Sequence, residues 1–162
     1  MSDGTPSMRI ERTFDAPIEL VWEMWADPGH FAAWYGPDGA TVSVATMDVR
    51  VGGSRLIGMA METPGGPRRM WFAGEYREVV GNERLVYTEF VADESANALP
   101  PSAMGMPDDH PVTTEVVVEL GDLGGRTRMV MTHIGVPEGS PGAVGWAMAF
   151  GKLDSYLATH NG

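Results

Sequence analysis

Three side chains within predicted strands are the candidates for moving a proton: His133, Tyr76 and Glu89. Each lies in a stretch where apolar and polar residues alternate, which is typical of a half-buried β-strand. On the inner face of a sheet, an imidazole, a phenol or a carboxylate can exchange protons with a bound molecule. The alternatives are structural: His133 as a core histidine bonded to a backbone carbonyl, and Tyr76 as an aromatic residue that fills space.

The face on which Glu89 lies is open from the sequence alone. Tyr87 and Glu89 share one side of their strand. If that side faces inward, Glu89 is a buried carboxylate that needs a partner. If it faces outward, Glu89 belongs to the ordinary surface. No Ser-His-Asp set or nucleophile motif accompanies these candidates.

Neither a metal nor a cofactor is predicted. The stretch MPDDHP (residues 106–111) holds two carboxylates and an imidazole. Three adjacent residues rarely converge on one ion and no fourth ligand is evident, so this stretch predicts a solvated loop. The glycines of MDVRVGGSR lack the Lys-Ser/Thr of a phosphate loop and predict a tight turn between strands.

The candidate residues are positioned by a predicted α+β arrangement. Residues 8–14 alternate like a strand, and residues 15–39 contain two short helical patterns separated by Pro-Gly breaks. Residues 40–93 and 112–135 alternate with a period of two and predict six further antiparallel strands. Residues 94–111 follow neither period, carry four prolines and predict a long loop that could act as a lid.

The last segment, EGSPGAVGWAMAFGKLDSYLATH, predicts a long helix with one apolar stripe. The stripe contains Trp146, Phe150, Leu153 and Leu157, with Ala143 and Ala147 beside it. Such a stripe must be buried against another element, and the sheet is the available one. The helix then either completes a solid core or closes a cavity.

Strand alternation indicates which side chains face this helix. In the last strand, Met129, Met131 and His133 alternate with a side that carries Arg128, so the methionine side is predicted to face inward. Gly58 and Gly74, also predicted inward, would leave space because they lack side chains. The pattern therefore favours a cavity, with a predicted lining of Phe72, Tyr76, Met129, Met131, His133, Trp146 and Phe150.

Composition and charge bear on the number of domains, the partners and the location of the protein. The 162 residues predict a single domain over residues 8–160 after a flexible N-terminus at 1–7. A net charge of −11 disfavours nucleic-acid binding. No apolar run is long enough for a membrane span, and no secretory signal or cysteine is present, which together predict a cytoplasmic protein. The sequence leaves open whether the chain acts alone or as a homodimer.

An ordered set of segments resembles a known family, related to the activator of heat-shock protein 90 ATPase. That family belongs to the SRPBCC superfamily of START-like and Bet v-like helix-grip folds. The resemblance covers residues 8–159 and is carried by RTFDAPIELVWEMWADPGHFAAWYGPDG, MDVRVGGSR, GEYREVVGNERLVYT, TRMVMTH and GWAMAFGKLDSYL. It implies a helix-grip fold with a seven-stranded curved antiparallel sheet, two short helices after strand 1, and a long C-terminal helix that usually closes a pocket.

The resemblance and the residues together lead to three functional hypotheses. The first is a protein that binds a small apolar, aromatic or lipid-like ligand between the sheet and the C-terminal helix. The second is a polyketide cyclase-like enzyme that uses His133, Tyr76 or Glu89 to move protons. The third is a chaperone co-factor that acts through protein interaction. The fold alone does not choose among them, because superfamily members have diverse functions.

Overall fold

The alternating segments of the sequence form one antiparallel sheet in a computed structural model, which describes residues 6–100, 102 and 111–160. The sheet has seven strands. These are β1 (Ser7–Phe14), β2 (Thr41–Met47), β3 (Ser54–Thr63), β4 (Gly66–Val80), β5 (Arg84–Ala92), β6 (Thr113–Asp122) and β7 (Thr127–Ile134). Three helices accompany the sheet: α1 (Ile18–Ala26), α2 (Pro28–Trp34) and α3 (Pro141–His160).

The order of strands across the sheet is β1-β7-β6-β5-β4-β3-β2. From β2 to β7 each strand pairs antiparallel with the next one along the chain, including β5 and β6, which are separated by residues 93–112. Strand β1 pairs with β7 at the far edge, so α1 and α2 connect the two edges of the sheet. This is the predicted seven-stranded α+β architecture.

Helices α1 and α2 are separated by one residue, Asp27. Its carboxylate accepts hydrogen bonds from the amides of Gly29 and His30, at 2.8 and 3.2 Å, and so caps α2. A proline at the first position of α2 starts the helix without losing a hydrogen bond. The short connection turns the two helices against each other, and each buries aromatic side chains.

The apolar stripe of α3 is buried, as predicted. Trp146, Phe150, Leu153 and Leu157 are all buried in the core. Ala143 is buried beside them, but Ala147 is exposed, contrary to the prediction. Ala147 follows Trp146 by one residue, about 100° around the helix, and therefore lies beyond the edge of the stripe.

The prediction that Gly58 faces inward is wrong. Its neighbours Ile57 and Met59 are core residues, so Gly58 lies on the opposite, outer face of β3. The ring of Trp71 covers it there, and a Cβ atom on Gly58 would lie 2.5 Å from that ring. Gly58 therefore accommodates an aromatic side chain outside the sheet and leaves no space inside it.

Gly74 also has a packing role. A Cβ atom at this position would lie 1.8 Å from the backbone oxygen of Thr88 on the neighbouring strand β5. The register of β4 and β5 shifts just beyond this point, between Tyr76 and Glu78. Close approach of the two backbones thus requires glycine here.

No helix among the described residues is long and apolar enough to cross a membrane.

Candidate functional site

An ion pair lies inside the core, between the sheet and the helices. One nitrogen of the Arg55 guanidinium, Nη1, lies 3.6 Å from Oε2 of Glu89, and both side chains are buried. Arg55 is on β3 and Glu89 is on β5, so the pair spans the intervening strand β4. Gly74 pairs with Arg55 in the register of β4 and provides no side chain between them. Glu89 therefore faces inward, and Arg55 is the partner that its burial requires.

Aromatic rings surround the guanidinium group of Arg55. Its central carbon lies 3.8 Å from the ring centroid of Tyr87, 5.3 Å from Phe31 and 5.9 Å from Tyr76. A cation over aromatic faces is stabilised by the ring quadrupoles, most strongly where water is excluded. Burial by itself lowers the pKa of Arg55, but Tyr87, Tyr76 and Glu89 together raise it, so the group stays charged.

Tyr35, which directly follows α2, contacts the same carboxylate. Its hydroxyl donates to Oε2 of Glu89 over 3.4 Å. Burial, together with the negative charge of Glu89, raises the pKa of Tyr35 well above its usual value. Tyr35 is therefore a neutral donor that connects α2 to the ion pair.

Several polar atoms in this region have no hydrogen-bond partner among the described residues. They are Nε and Nη1 of Arg55, the hydroxyls of Tyr76 and Tyr87, and Nε1 of Trp25. Burying a donor without a partner costs about 1–3 kcal/mol, so most such groups in proteins are satisfied. Three of these residues, Arg55, Tyr76 and Tyr87, lie next to one another.

His133 is held by hydrogen bonds at both ring nitrogens. Nε1 of Trp146 donates to Nδ1 of His133 over 2.9 Å, and Nε2 lies 2.8 Å from Oγ1 of Thr114. Because an indole N–H can only donate, Nδ1 must accept, and the proton of a neutral ring lies on Nε2. Thr114 in turn donates to the backbone oxygen of Glu89 over 3.2 Å. This chain connects α3 to β7, β6 and β5.

The side chains predicted to line a cavity all belong to the interior between the sheet and α3. Tyr76, Met129, Met131, His133, Trp146 and Phe150 are buried, and Phe72 is partly buried against the core. Their role in ligand binding stays a prediction. Rings from α1 and α2 complete this region: the centroid of Trp25 lies 4.9 Å from that of Trp34 and 6.1 Å from that of Phe150.

Sequence reasoning missed Arg55 and Tyr35. The signal for Arg55 was its alternation with Ile57 and Met59, which are both core residues. The signal for Tyr35 was its position immediately after the buried residue Trp34. The acidic and histidine residues of the MPDDHP stretch, and much of the predicted lid at residues 94–111, lie outside the described residues.

A surface groove of about 670 Å³ runs along the outer side of α2 and α3. Asp38, Lys152 and Tyr156 are among the residues that line it. Nζ of Lys152 donates to the backbone oxygens of Tyr35 and Pro37, at 3.4 and 3.2 Å. Lys152 thus fixes the segment after α2 to α3 and supports the position of Tyr35.

The buried tyrosines predict a distinct alkaline titration. Burial raises the pKa of both Tyr35 and Tyr87, so each ionises later in the folded chain than at the usual value of about 10. Their contribution to stability is complete below about pH 10 and is lost as the pH rises further. Phenolate absorbance should show at least two of the four tyrosines un-ionised near pH ~11 while the fold persists.

The variant Tyr35→Phe should reduce the late-titrating tyrosines by one. Ionisation of Tyr35 and Tyr87 near pH ~10, with circular dichroism unchanged, would contradict their buried placement.

The fold and its buried interior define an α+β helix-grip protein, in which a long C-terminal helix packs on a curved antiparallel sheet. The chain belongs to the family described as Activator of Hsp90 ATPase homolog 1-like protein, whose model matches residues 15–158. No curated protein matches the chain.

Solved structures of similar fold include protein CV1439 from Chromobacterium violaceum, with 24% identity and a TM-score of 0.74 over 93% of this chain and 96% of that one. An AHSA1 protein from Silicibacter pomeroyi is 20% identical, with a TM-score of 0.70 over 95% and 99% of the two chains. CalU16 from Micromonospora echinospora is 22% identical, with a TM-score of 0.61 over 93% of this chain and 75% of that one. At these identities the likeness shows the fold alone.

Proposed function

We propose that this protein binds a small apolar or aromatic molecule in the interior between the sheet and α3. The observation that carries the proposal is the set of buried donors without partners, on Arg55, Tyr76 and Tyr87, inside an otherwise aromatic and apolar region. Ligand sites commonly combine such an apolar wall with a few polar groups that orient the ligand.

The residues of the interior are suited to open around a ligand. Several of the buried side chains are methionines: Met8, Met24, Met59, Met129 and Met131. Methionine is unbranched and flexible, so it can repack around guests of different shape at low cost. A methionine-lined interior can thus be filled by its own side chains when empty and by a ligand when occupied.

The region near Phe72 is the candidate entrance. Phe72 is partly exposed, whereas its neighbour Tyr35 and Trp146, which neighbours Tyr35, are buried. The ring centroid of Tyr35 lies 6.4 Å from that of Phe72 and 5.6 Å from that of Trp146. A ligand that displaces Phe72 would meet these two rings first and the Arg55 region next.

Binding is better supported than proton transfer. His133 uses both ring nitrogens in hydrogen bonds to Trp146 and Thr114, and Glu89 is paired with Arg55. A general acid or base needs a proton-exchanging atom that is directed at the substrate. In His133 and Glu89 these atoms are already engaged in contacts with other residues. The chaperone hypothesis is supported only by the family description.

Filling the interior should abolish binding. We expect Met131→Trp to fold, at a cost of about 1–3 kcal/mol for overpacking, and to lose saturable binding of the neutral fluorescent probe N-phenyl-1-naphthylamine. The matched control is Met148→Trp, since Met148 lies on the exposed face of α3. Fluorescence titration, with circular dichroism to verify folding, makes the comparison. Unchanged binding by a folded Met131→Trp variant would contradict the proposal.

A further inference from the structure

Three of the four described residues with unpartnered polar atoms lie next to one another and, together with Glu89, form a group that we call the polar cluster: Arg55, Tyr76, Tyr87 and Glu89. Arginine carries only donors, so the free positions at Nε and Nη1 of Arg55 can be satisfied only by an acceptor. Nη1 lies 3.6 Å from Glu89, within the range of an ion pair but beyond a normal hydrogen bond. No acceptor among the described residues forms a hydrogen bond with these two nitrogens, so they are available to an acceptor atom of a bound molecule.

Tyr76 and Tyr87 add two further buried hydroxyls without partners in the described part of the chain, close to Arg55. Tyr76 and Tyr87 pair across β4 and β5, with ring centroids 5.9 Å apart. Both rings lie within 6 Å of the Arg55 guanidinium, at 5.9 and 3.8 Å. Their hydroxyls are buried and unpartnered, and each can donate to an acceptor. Arg55, Tyr76 and Tyr87 therefore bring unpartnered buried donors into one region of the core.

The charge balance of the polar cluster decides the kind of acceptor. The positive charge of Arg55 is already balanced by Glu89. The other buried polar residues among those described are Thr127 and His133, which leaves no further buried lysine or arginine in that part of the chain. An anionic ligand would thus bring an uncompensated charge into a buried region, which is costly. A neutral oxygen acceptor brings no such penalty.

We propose that the polar cluster recognises a carbonyl oxygen on a neutral aromatic ligand, which the aromatic and methionine side chains around it enclose. This inference rests on the proposed function and specifies its ligand class. The carbonyl accepts from Arg55 and from the hydroxyl of Tyr76 or Tyr87. The ring system of the ligand packs among the side chains of the interior.

The test compares three probes of matched shape: 2-acetylnaphthalene, 2-isopropenylnaphthalene and 2-naphthoate. They carry a neutral carbonyl, no oxygen and a carboxylate, respectively. Calorimetry and quenching of tryptophan fluorescence give the affinity of each probe. The measured quantity is the ratio of the affinity for the ketone to the affinity for the hydrocarbon. This ratio is compared between the unmodified protein and its variants, because the hydration of the probes is then the same on both sides.

The variants are Arg55→Met/Glu89→Met, which removes the buried pair, and Glu11→Met/Arg128→Met, which removes an exposed pair of 2.7 Å between β1 and β7. We expect the ratio to fall about 10- to 100-fold in the first variant, as for loss of a hydrogen bond to a charged group, and to stay unchanged in the second. If the first variant does not fold, Tyr87→Phe keeps the ring and should lower the ratio about 2- to 10-fold.

The outcomes separate this inference from the proposed function. Equal ratios in all folded variants would overturn carbonyl recognition while leaving apolar binding intact. Tightest binding of 2-naphthoate, dependent on Arg55, would overturn the neutral ligand class. Failure of all three probes to bind the unmodified protein would overturn the proposed function and this inference with it.

Discussion

Replacing Glu89 by methionine is expected to lower the free energy of unfolding by about 3–5 kcal/mol, because it leaves Arg55 charged and buried without its partner. Arg55 has no route to solvent, since its side chain is buried beneath Tyr87 and Phe31. Urea denaturation of the single variant measures the loss.

The double variant Arg55→Met/Glu89→Met is the control for that result. Replacing both partners by apolar side chains of similar volume is often neutral or stabilising, so most of the lost stability should return. A single Glu89→Met variant as stable as the unmodified protein would mean that Arg55 reaches water in solution. That result would contradict the buried position of the ion pair between Arg55 and Glu89.

Truncation of Phe150 to alanine is expected to cost about 3–5 kcal/mol, the usual range for a buried phenylalanine. Phe150 has no exposed surface, and its ring centroid lies 5.5 Å from that of Trp146 and 5.9 Å from that of Trp34. Phe150 therefore packs α3 against α2 within the core, and its truncation leaves a cavity there.

Met148→Ala serves as the comparison, because Met148 lies on the exposed face of the same helix. Its effect should stay within about 0.5 kcal/mol, as for most surface substitutions. A loss below about 1 kcal/mol for Phe150→Ala would indicate that the stripe of α3 is not close-packed and would contradict the arrangement of helix and sheet.

The fold could be predicted because the alternation of its strands and the helical spacing of α3 are both strong patterns. Alternation in β7 identified Met129 and Met131 as inward, and helical spacing identified Trp146 and Phe150. Each of these patterns depends on one element alone, so no knowledge of its neighbours was needed.

The buried charges could not be predicted for a physical reason. In β3 both faces carry apolar residues: Ile57 and Met59 face the core, while Leu56 and Gly58 alternate with them. Alternation therefore did not decide the inner face, and Gly58 was assigned to the wrong side. The partner of Glu89 depends on this choice, since Arg55 reaches it across β4 only when both side chains point inward.

The most direct test of the central claim, that the interior between the sheet and α3 binds an apolar ligand, is a methyl NMR titration. Methionine methyl groups are labelled, and 2-acetylnaphthalene is added in increments. The signals of Met129 and Met131, which have no exposed surface, should shift in a saturable way while exposed Met148 stays unchanged. Saturable shifts at Met148 with no change at Met129 or Met131 would place the ligand on the outer surface and contradict the proposed function.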